Sequence, residues 1–228
     1  MKVAILDFAT PFPGMQDYAT AGQLIRDWLS PALPEAEMTI IKVALGQALP
    51  EVQDFDGYVL SGSEKGVYDH TAWMDALRAF LLEAKRAGKP LVGICFGHQI
   101  MADTFGGRAE KVPFGMVIGA EPYEIDGVVQ EAHVWHQDQV VTVPPDAEVT
   151  GHAPYCPVGV LEYSFPGYSV QFHPEYTGEF LAKEITVATG TVLTPEESQK
   201  ALASIAAGHV AADLVAAKAA ETLRRATS

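Results

Sequence analysis

Apolar and polar positions follow two alternating patterns along the first half of the chain. Short apolar runs predict buried strands at residues 3–8, 39–43, 57–60 and 91–94. Between these runs, apolar residues recur every three or four positions, which predicts amphipathic helices at residues 19–29, 73–87 and 98–105. The alternation predicts an α/β fold: a doubly wound, mostly parallel sheet with helices on both faces.

The pattern changes after about Val117. Up to about Phe172, short β-type runs alternate with turn residues. This texture predicts antiparallel and returning strands of the same domain, at residues 140–143, 159–163 and 169–172. No linker-like stretch divides the chain. We therefore expect one domain over residues 1–228, with a core of about residues 1–180 and a helical C-terminal segment of about residues 181–228.

The C-terminal segment is predicted to contain an alanine-rich helix. Thr194 suits the cap position, Pro195 the first turn, and Glu197 lies three residues after the cap. Gly208 is a candidate break that would divide this helix in two. We interpret the segment as a packing helix, and a surface for a partner protein is the alternative.

Charge and composition narrow the choice of partners and of location. The 228 residues include 15 Lys and Arg against 29 Asp and Glu, a formal net charge of −14. Such a chain has no overall attraction for phosphate backbones or anionic membranes, so we expect neither nucleic acid nor membrane as a main partner. No apolar run reaches the roughly 18 residues of a membrane-spanning helix, and Asp7 interrupts the N-terminal run. Two cysteines are too few for a disulfide scaffold, and we expect a cytoplasmic protein.

The segment GICFGHQ at residues 93–99 carries the most informative chemistry. An apolar strand runs into Gly-x-Cys-x-Gly ahead of a helix, which has the form of a nucleophile elbow with cysteine in place of serine. Such a turn is strained, which explains the small residues Gly93 and Gly97. The helix that follows points its positive N-terminal end at the sulfur of Cys95 and favours the thiolate, and the backbone N–H of Phe96 can stabilise an oxyanion. A buried structural cysteine is the alternative, and we assign that role to Cys156, which lies on no such turn.

A cysteine nucleophile needs a base, and the segment QFHPE at residues 171–175 supplies a candidate. In extended backbone, side chains two positions apart point to the same side, so His173 and Glu175 are predicted neighbours. A carboxylate beside an imidazole holds its tautomer and stabilises the imidazolium. The pair could equally be a surface ion pair when taken alone. Together with the elbow, it predicts a Cys–His–Glu triad.

These two segments resemble the class I glutamine amidotransferase family. Residues 93–99 are similar to its GxCxGxQ motif, and residues 171–175 to its QxHPE motif. Residues 60–63, Leu-Ser-Gly-Ser, resemble its SGGP oxyanion turn. Residues 136–140, His-Gln-Asp-Gln-Val, resemble the HGDxV segment of the GMP synthetase branch. The resemblance covers roughly residues 1–176, and the C-terminal tail adds nothing to it.

The resemblance implies a flavodoxin-like fold and cleavage of a γ-glutamyl amide without cofactor or metal. It makes Cys95 the nucleophile, His173 the general base and acid, and Glu175 the residue that orients His173. It implies an oxyanion hole of the backbone N–H groups of Ser63 and Phe96. It also implies a set of substrate-binding residues: Gly62, Gln99, His136, Gln137 and Asp138.

Two departures from the family pattern leave the substrate open. Ser63 and Glu64 stand where the family usually has Gly and Pro, a form similar to stand-alone members such as γ-glutamyl peptidases. The sequence contains neither a Walker-type loop nor a GxGxxG motif, so no motif in it indicates a synthetase domain. The resemblance therefore implies either a glutaminase that passes ammonia to a separate synthetase chain, or a stand-alone hydrolase of small γ-glutamyl compounds. A catalytically silent binding module is a third hypothesis, which the intact Cys95, His173 and Glu175 disfavour.

Other candidates have weaker support from their sequence context. His133 and His136 could form half of a metal site, but no further ligand spacing accompanies them. We expect His98 to have a packing or hydrogen-bonding role and Trp135 to lie in the core. Tyr68 and Asp69 could line a pocket rim or cap the following helix, and we favour the cap.

Overall fold

The protein is described from a computed structural model, which covers residues 1–113, 115–207, 210 and 212–225. Five parallel strands form one half of its main sheet. Their bounds are β1 Lys2–Asp7, β2 Glu37–Lys42, β3 Gly57–Leu60, β4 Leu91–Ile94 and β11 Gly167–Val170. Their order across the sheet is β2-β1-β3-β4-β11, and every neighbouring pair in this half is parallel. Strands β3, β4 and β11 are buried along their whole lengths, as their apolar sequences predict.

Antiparallel strands continue the sheet beyond β11. They are β6 Val117–Ile125, β7 Val128–His136, β9 Ala147–Ala153 and β10 Cys156–Tyr163, in the order β10-β9-β6-β7. A separate two-stranded sheet pairs β5 Arg108–Lys111 with β8 Asp138–Thr142. The expected antiparallel additions are therefore present, and β6, β7 and β9 are strands that the sequence pattern did not predict individually.

Helices cover both faces of the sheet, and the predicted doubly wound architecture is confirmed. The helices are α1 Ala21–Leu29, α2 Ala72–Arg86, α3 Phe96–Thr104, α4 Gly178–Ala188, α5 Pro195–Ala207 and α6 Asp213–Arg224. One core holds the apolar faces of α2 and α3, and a second core holds those of α1 and α6. A short 3₁₀ helix follows β2 at Val43–Leu45.

The C-terminal part of the chain forms two helices after α4. Thr194 and Glu197 form the predicted capping pair, since the Glu197 N–H donates to Thr194 Oγ1 and the Thr194 N–H donates to Glu197 Oε2. Helix α5 ends at Ala207 and α6 begins at Asp213, while Gly208 itself lies outside the described residues. Leu223 of α6 is fully buried against the central sheet, so α6 is a packing helix.

The three loops that carry the candidate site residues follow the carboxyl ends of neighbouring strands, along one edge of the sheet. Strands β3, β4 and β11 are adjacent and parallel, so their carboxyl ends meet at that edge. Ser61 follows β3, Cys95 follows β4, and Gln171 follows β11. Loops at the carboxyl ends of parallel strands are where α/β folds place their ligand sites. The described part of the chain contains no helix long and apolar enough to cross a membrane.

Candidate active site

Cys95 lies on a strained turn between β4 and α3. Its φ is +52° and its ψ is −104°, a backbone conformation that residues with a side chain rarely adopt. The adjoining glycines permit the turn because the chain approaches itself closely there. A Cβ at Gly93 would lie 2.7 Å from the carbonyl carbon of Gly97, and a Cβ at Gly97 would lie 2.5 Å from the oxygen of Leu60. The local geometry is that of the predicted nucleophile elbow.

The thiol of Cys95 lines a cavity of about 350 Å³. Its side chain is only 6% exposed. The Gln171 amide donates to Sγ from Nε2 at 3.8 Å, and Sγ lies 3.8 Å from the backbone oxygen of Trp135. The backbone N–H of Cys95 donates to Val170 at 2.8 Å, which ties the elbow to the end of β11. The sulfur is therefore held in place yet open to a small molecule in the cavity.

His173 and Glu175 are paired beside this thiol. Nδ1 of His173 lies 2.8 Å from Oε1 of Glu175, and both residues are 4% exposed. Burial alone would lower the pKa of His173, but the negative charges of Glu175 and Cys95 outweigh it and raise that pKa well above its ordinary value. The arrangement therefore favours the imidazolium form of His173. The backbone N–H of His173 donates to the His133 oxygen at 2.8 Å, so strand β7 supports the loop.

The loop after β3 lies against this pair and carries Gly62 and Ser63 along the cavity wall. A Cβ at Gly62 would lie 3.0 Å from Cε1 of His173 and 3.7 Å from Cβ of Cys95, so a side chain at this position would crowd the imidazole. Ser63 lines the cavity, and its Oγ accepts from the Lys65 N–H at 3.1 Å. Phe96 is the first residue of α3, where a backbone N–H has no intrahelical acceptor.

The other expected substrate-binding residues also line this cavity, namely Gln99, His136, Gln137 and Asp138. Gln99 donates from Nε2 to the Asp138 oxygen at 2.9 Å and to Oε1 of Gln171 at 3.2 Å. These bonds connect the helix of the elbow to the start of β8 and to the loop that follows β11.

Tyr68 corrects one expectation. Its hydroxyl donates to Oδ1 of Asp138 at 3.1 Å, which places it beside the cavity rim. The cap residue of α2 is Thr71, with no side-chain cap bond, and Asp69 instead accepts from the Gly66 N–H at 3.0 Å. The pair therefore does not cap the helix, because the loop turns back toward β8 before α2 begins.

Three further histidines have distinct surroundings. His98 is fully buried between Ser169 Oγ at 2.8 Å and the Val158 oxygen at 3.1 Å, the hydrogen-bonding role that we expected. Nδ1 of His133 lies 2.8 Å from the Tyr176 oxygen. His136 lines the cavity, and burial together with the charge of His173 lowers its pKa to about 3.

Metal ligation has no support in the part of the chain that the structure describes. No group of three or more His, Cys, Asp or Glu side chains there is placed to hold an ion. His133 and His136 follow one another at a spacing of three residues in strand β7, where side chains at odd spacing point to opposite faces. The two imidazoles accordingly bind different backbone oxygens.

Sequence reasoning missed several residues that line the cavity. Tyr176 stacks on His173, and Trp135 is only partly buried with its oxygen at the thiol, so it is not the pure core residue that we expected. Glu184 of α4 also lines the cavity. A signal for Glu184 was present in the sequence, because a charged residue stands among the apolar positions Leu181 and Ile185 of one helical stripe.

Comparison with known proteins gives consistent results. The model of the family described as glutamine amidotransferase class-I matches residues 24–187, more than two thirds of the chain. A GMP synthase [glutamine-hydrolyzing] of Aeropyrum pernix is 33% identical over 150 residues, which cover 62% of this chain and 28% of that protein. A protein of Pyrococcus abyssi, named as one subunit of GMP synthase [glutamine-hydrolyzing], is 38% identical over 95 residues, covering 38% of this chain and 50% of that one. The chain thus matches half or less of the length of these relatives.

Solved structures agree on the fold. A glutamine amidotransferase from Methylobacillus flagellatus superposes with a TM-score of 0.75 at 18% identity, over 100% of this chain and 95% of that one. A glutamine amidotransferase from Thermotoga maritima gives a TM-score of 0.77 at 17% identity, over 100% and 98% of the two chains. With the family match over residues 24–187, the chain belongs to the class I glutamine amidotransferase family.

Proposed function

We propose that this chain hydrolyses the γ-amide of glutamine to glutamate and ammonia through a triad of Cys95, His173 and Glu175. The observation that carries the proposal is the placement of a buried, carboxylate-bound imidazole beside a thiol on an elbow, at the wall of one cavity. Family membership supports the same substrate class.

The chemistry divides into two halves. The Cys95 thiolate attacks the side-chain carbonyl carbon, and the oxyanion accepts hydrogen bonds from the backbone N–H groups of Phe96 and Ser63. His173 gives its proton to the departing nitrogen, and the C–N bond breaks to leave a γ-glutamyl thioester. His173 then takes a proton from a water molecule, which attacks the thioester and releases glutamate and the thiolate. Glu175 stabilises the imidazolium throughout.

The fate of the ammonia forms a second part of the proposal. The Pyrococcus abyssi relative is named as one subunit of its enzyme, and such a name indicates that a further subunit exists. We infer a separate ammonia-accepting synthetase chain as the partner, with residues 1–228 acting as a single glutaminase domain.

The second candidate function is a stand-alone hydrolase of small γ-glutamyl amides. The additional space beside the catalytic cavity supports it. A smaller cavity of about 100 Å³ adjoins the catalytic one. The two share lining residues, which are Ala9, Thr10, Phe12, Ala21, Tyr176 and Glu184. Such room beyond the triad would accept a leaving group larger than ammonia.

Product release by the purified chain tests both candidates. L-glutamine and a γ-glutamyl dipeptide are offered in parallel, with Cys95→Ala as the blank and Cys156→Ala as the matched control. Cys95-dependent ammonia from glutamine supports the amidotransferase. Release of an amino acid from the dipeptide, with glutamine left intact, supports the stand-alone hydrolase. Full activity in Cys95→Ala, or loss of it in Cys156→Ala with the fold retained, contradicts the assignment of the nucleophile.

A further inference from the structure

Glu184 places a carboxyl group on the otherwise apolar buried face of helix α4. The buried stripe of this helix comprises Leu181, Ile185 and Ala188, and Glu184 lies on the same side at helical spacing. Its Oε2 is buried and has no hydrogen-bond partner. Burying a carboxylate without a partner is costly, so a group in this position calls for an occupant of complementary charge.

The other carboxylates around the catalytic cavity are already engaged. Each accepts a hydrogen bond from a neighbouring side chain: Glu64 from Thr10 at 2.8 Å, Asp138 from Tyr68 at 3.1 Å and Glu175 from His173 at 2.8 Å. Lys183, the cation next to Glu184 in sequence, lies over the ring of Tyr18 at 5.6 Å. Glu175 and Glu184 each have a buried Oε2 without a hydrogen-bond partner, but Glu175 is bound to His173 through its other oxygen, whereas Glu184 has no such side-chain partner among the described residues.

Glu184 lines the part of the catalytic cavity that adjoins its smaller neighbour. The anion-binding backbone and the residues expected to hold the glutamyl group lie around Gly62, Ser63 and Gln99. Tyr176 and Glu184 instead line both the catalytic cavity and its smaller neighbour. His173, which hands a proton to the departing nitrogen, stacks on Tyr176 with ring centroids 4.2 Å apart. A leaving amine would accordingly extend past Tyr176 toward Glu184.

The electrostatic surroundings suit a guest cation. Burial raises the pKa of Glu184 to about 7; the charge of His173 lowers it and that of Glu175 raises it. An ammonium group at hydrogen-bond distance would supply the missing partner and favour the ionised carboxylate.

We propose that Glu184 selects γ-glutamyl amides whose leaving amine carries a second, positively charged nitrogen. The inference rests on the proposed triad chemistry and names the substrate class for it. The reaction balances as before: the bond from Cys95 sulfur to the carbonyl carbon forms, the amide C–N bond breaks, the leaving nitrogen takes the proton of His173, and water releases glutamate. The products are glutamate and a diamine, and water is the only co-reactant that the reaction consumes.

Two isosteric amides test this selection. The first is the γ-glutamyl amide of diaminobutane, and the second is the γ-glutamyl amide of n-pentylamine, in which a methyl group replaces the distal ammonium. We expect kcat/KM of the wild-type chain to favour the diaminobutane amide about tenfold or more. Glu184→Gln should reduce the ratio to about one, while Glu179→Gln, which removes an exposed carboxylate from the same helix, should keep the wild-type ratio. Glutamine is assayed alongside.

Binding separates this inference from the proposed function. Calorimetric titration of Cys95→Ala with both amides measures the preference without turnover, and the double variant with Glu184→Gln should lose it. Equal handling of the two amides by the wild-type chain, or an unchanged ratio in Glu184→Gln, overturns the inference. If glutamine and the pentylamide are still hydrolysed in that case, the triad stands. If binding shows the preference but no amide is turned over, the selection stands and the proposed hydrolysis falls.

Discussion

The imidazole of His173 stacks on the phenol ring of Tyr176, with ring centroids 4.2 Å apart and planes 16° from parallel. Glu175 binds the same imidazole at Nδ1, so the ring is held both at its edge and on its face. The backbone N–H of Tyr176 also donates to the His173 oxygen at 3.3 Å. These contacts leave Nε2 as the ring nitrogen that the proposed mechanism uses for proton transfer.

Removal of the stacked ring should impair catalysis more than binding. We expect Tyr176→Ala to lower kcat for glutamine about tenfold, because a misoriented general acid and base loses part of its contribution of roughly 10²–10⁴. Tyr176→Phe keeps the ring and should stay within about twofold of wild type. Steady-state kinetics and thermal unfolding of all three proteins provide the measurement. Equal losses in the Phe and Ala variants would show that the hydroxyl matters and that stacking does not.

The placement of Cys95 on a tight turn and of His173 beside Glu175 was predictable, because these residues lie in short, local motifs. The backbone around Cys95 dictates its glycine neighbours, and two-residue spacing alone places Glu175 beside His173. The strands that carry them are continuous apolar runs, which is the pattern of the centre of a parallel sheet. Local sequence was sufficient for these features because each depends on contacts within a few residues.

The remaining features depend on distant contacts. Tyr68 was expected to cap α2, but it binds Asp138, which is 70 positions away in the sequence. Trp135 reaches the thiol only because strand β7 folds back beside β6 and supports the loop of His173. Glu184 falls within the segment of about residues 181–228 that we predicted as helical, but the sequence did not show which cavity its side chain lines. The hydrophobic pattern of a single segment carries no information on which distant residues that segment will contact.

The two cysteines should differ in reactivity. Cys95 lines an open cavity, whereas Cys156 lies in the core, where burial raises its pKa to about 12. We expect iodoacetamide at neutral pH to alkylate Cys95 at least about tenfold faster than Cys156. The thiolate is the reactive form, and the raised pKa of Cys156 keeps that residue protonated. Peptide mass spectrometry over a time course measures both rates, and urea-unfolded protein serves as the control in which both react. Modification of Cys156 at a similar rate in the native protein would contradict the assignment.

The two imidazoles that line the cavity, those of His136 and His173, should differ in protonation state. Burial and the nearby His173 charge lower the pKa of His136 to about 3, whereas Glu175 and Cys95 raise that of His173. NMR titration of the ring Cε1 protons should show His136 neutral and His173 protonated at pH 6, with His136→Gln and His173→Gln assigning the signals. A His136 signal that titrates near its ordinary pKa of about 6.5 would contradict this account.

The sign of the effect on stability follows from the same shifts. The unfolded chain protonates His136 below about pH 6.5, while the folded chain keeps it neutral until about pH 3. Its contribution to the free energy of unfolding is therefore lost as the pH falls through this window. His173 acts in the opposite direction: its stabilising contribution is complete below about pH 6.5 and is lost as the pH rises through its raised folded pKa.

The close approach of α3 to β3 should make Gly97 intolerant of any side chain. A Cβ there would lie 2.5 Å from the Leu60 oxygen, a backbone atom that cannot move without shifting the strand. We expect Gly97→Ala to lower the free energy of unfolding by about 1–3 kcal/mol, the usual cost of overpacking. Activity should fall as well, because Leu60 leads directly into Gly62 and Ser63 at the cavity.

Gly178→Ala is the matched control for this substitution. Gly178 begins α4, and the tightest contact of an added Cβ would be Cγ2 of Ile205 at 3.2 Å, the end of a flexible side chain; the His133 ring at 3.9 Å is at ordinary van der Waals distance. The better helix propensity of alanine offsets that contact, so the change should stay within about 0.5 kcal/mol. Urea unfolding of the two variants and wild type measures the difference. Equal stability of Gly97→Ala and Gly178→Ala would show that the turn can accommodate a Cβ at residue 97. The need for glycine there would then lie in substrate binding.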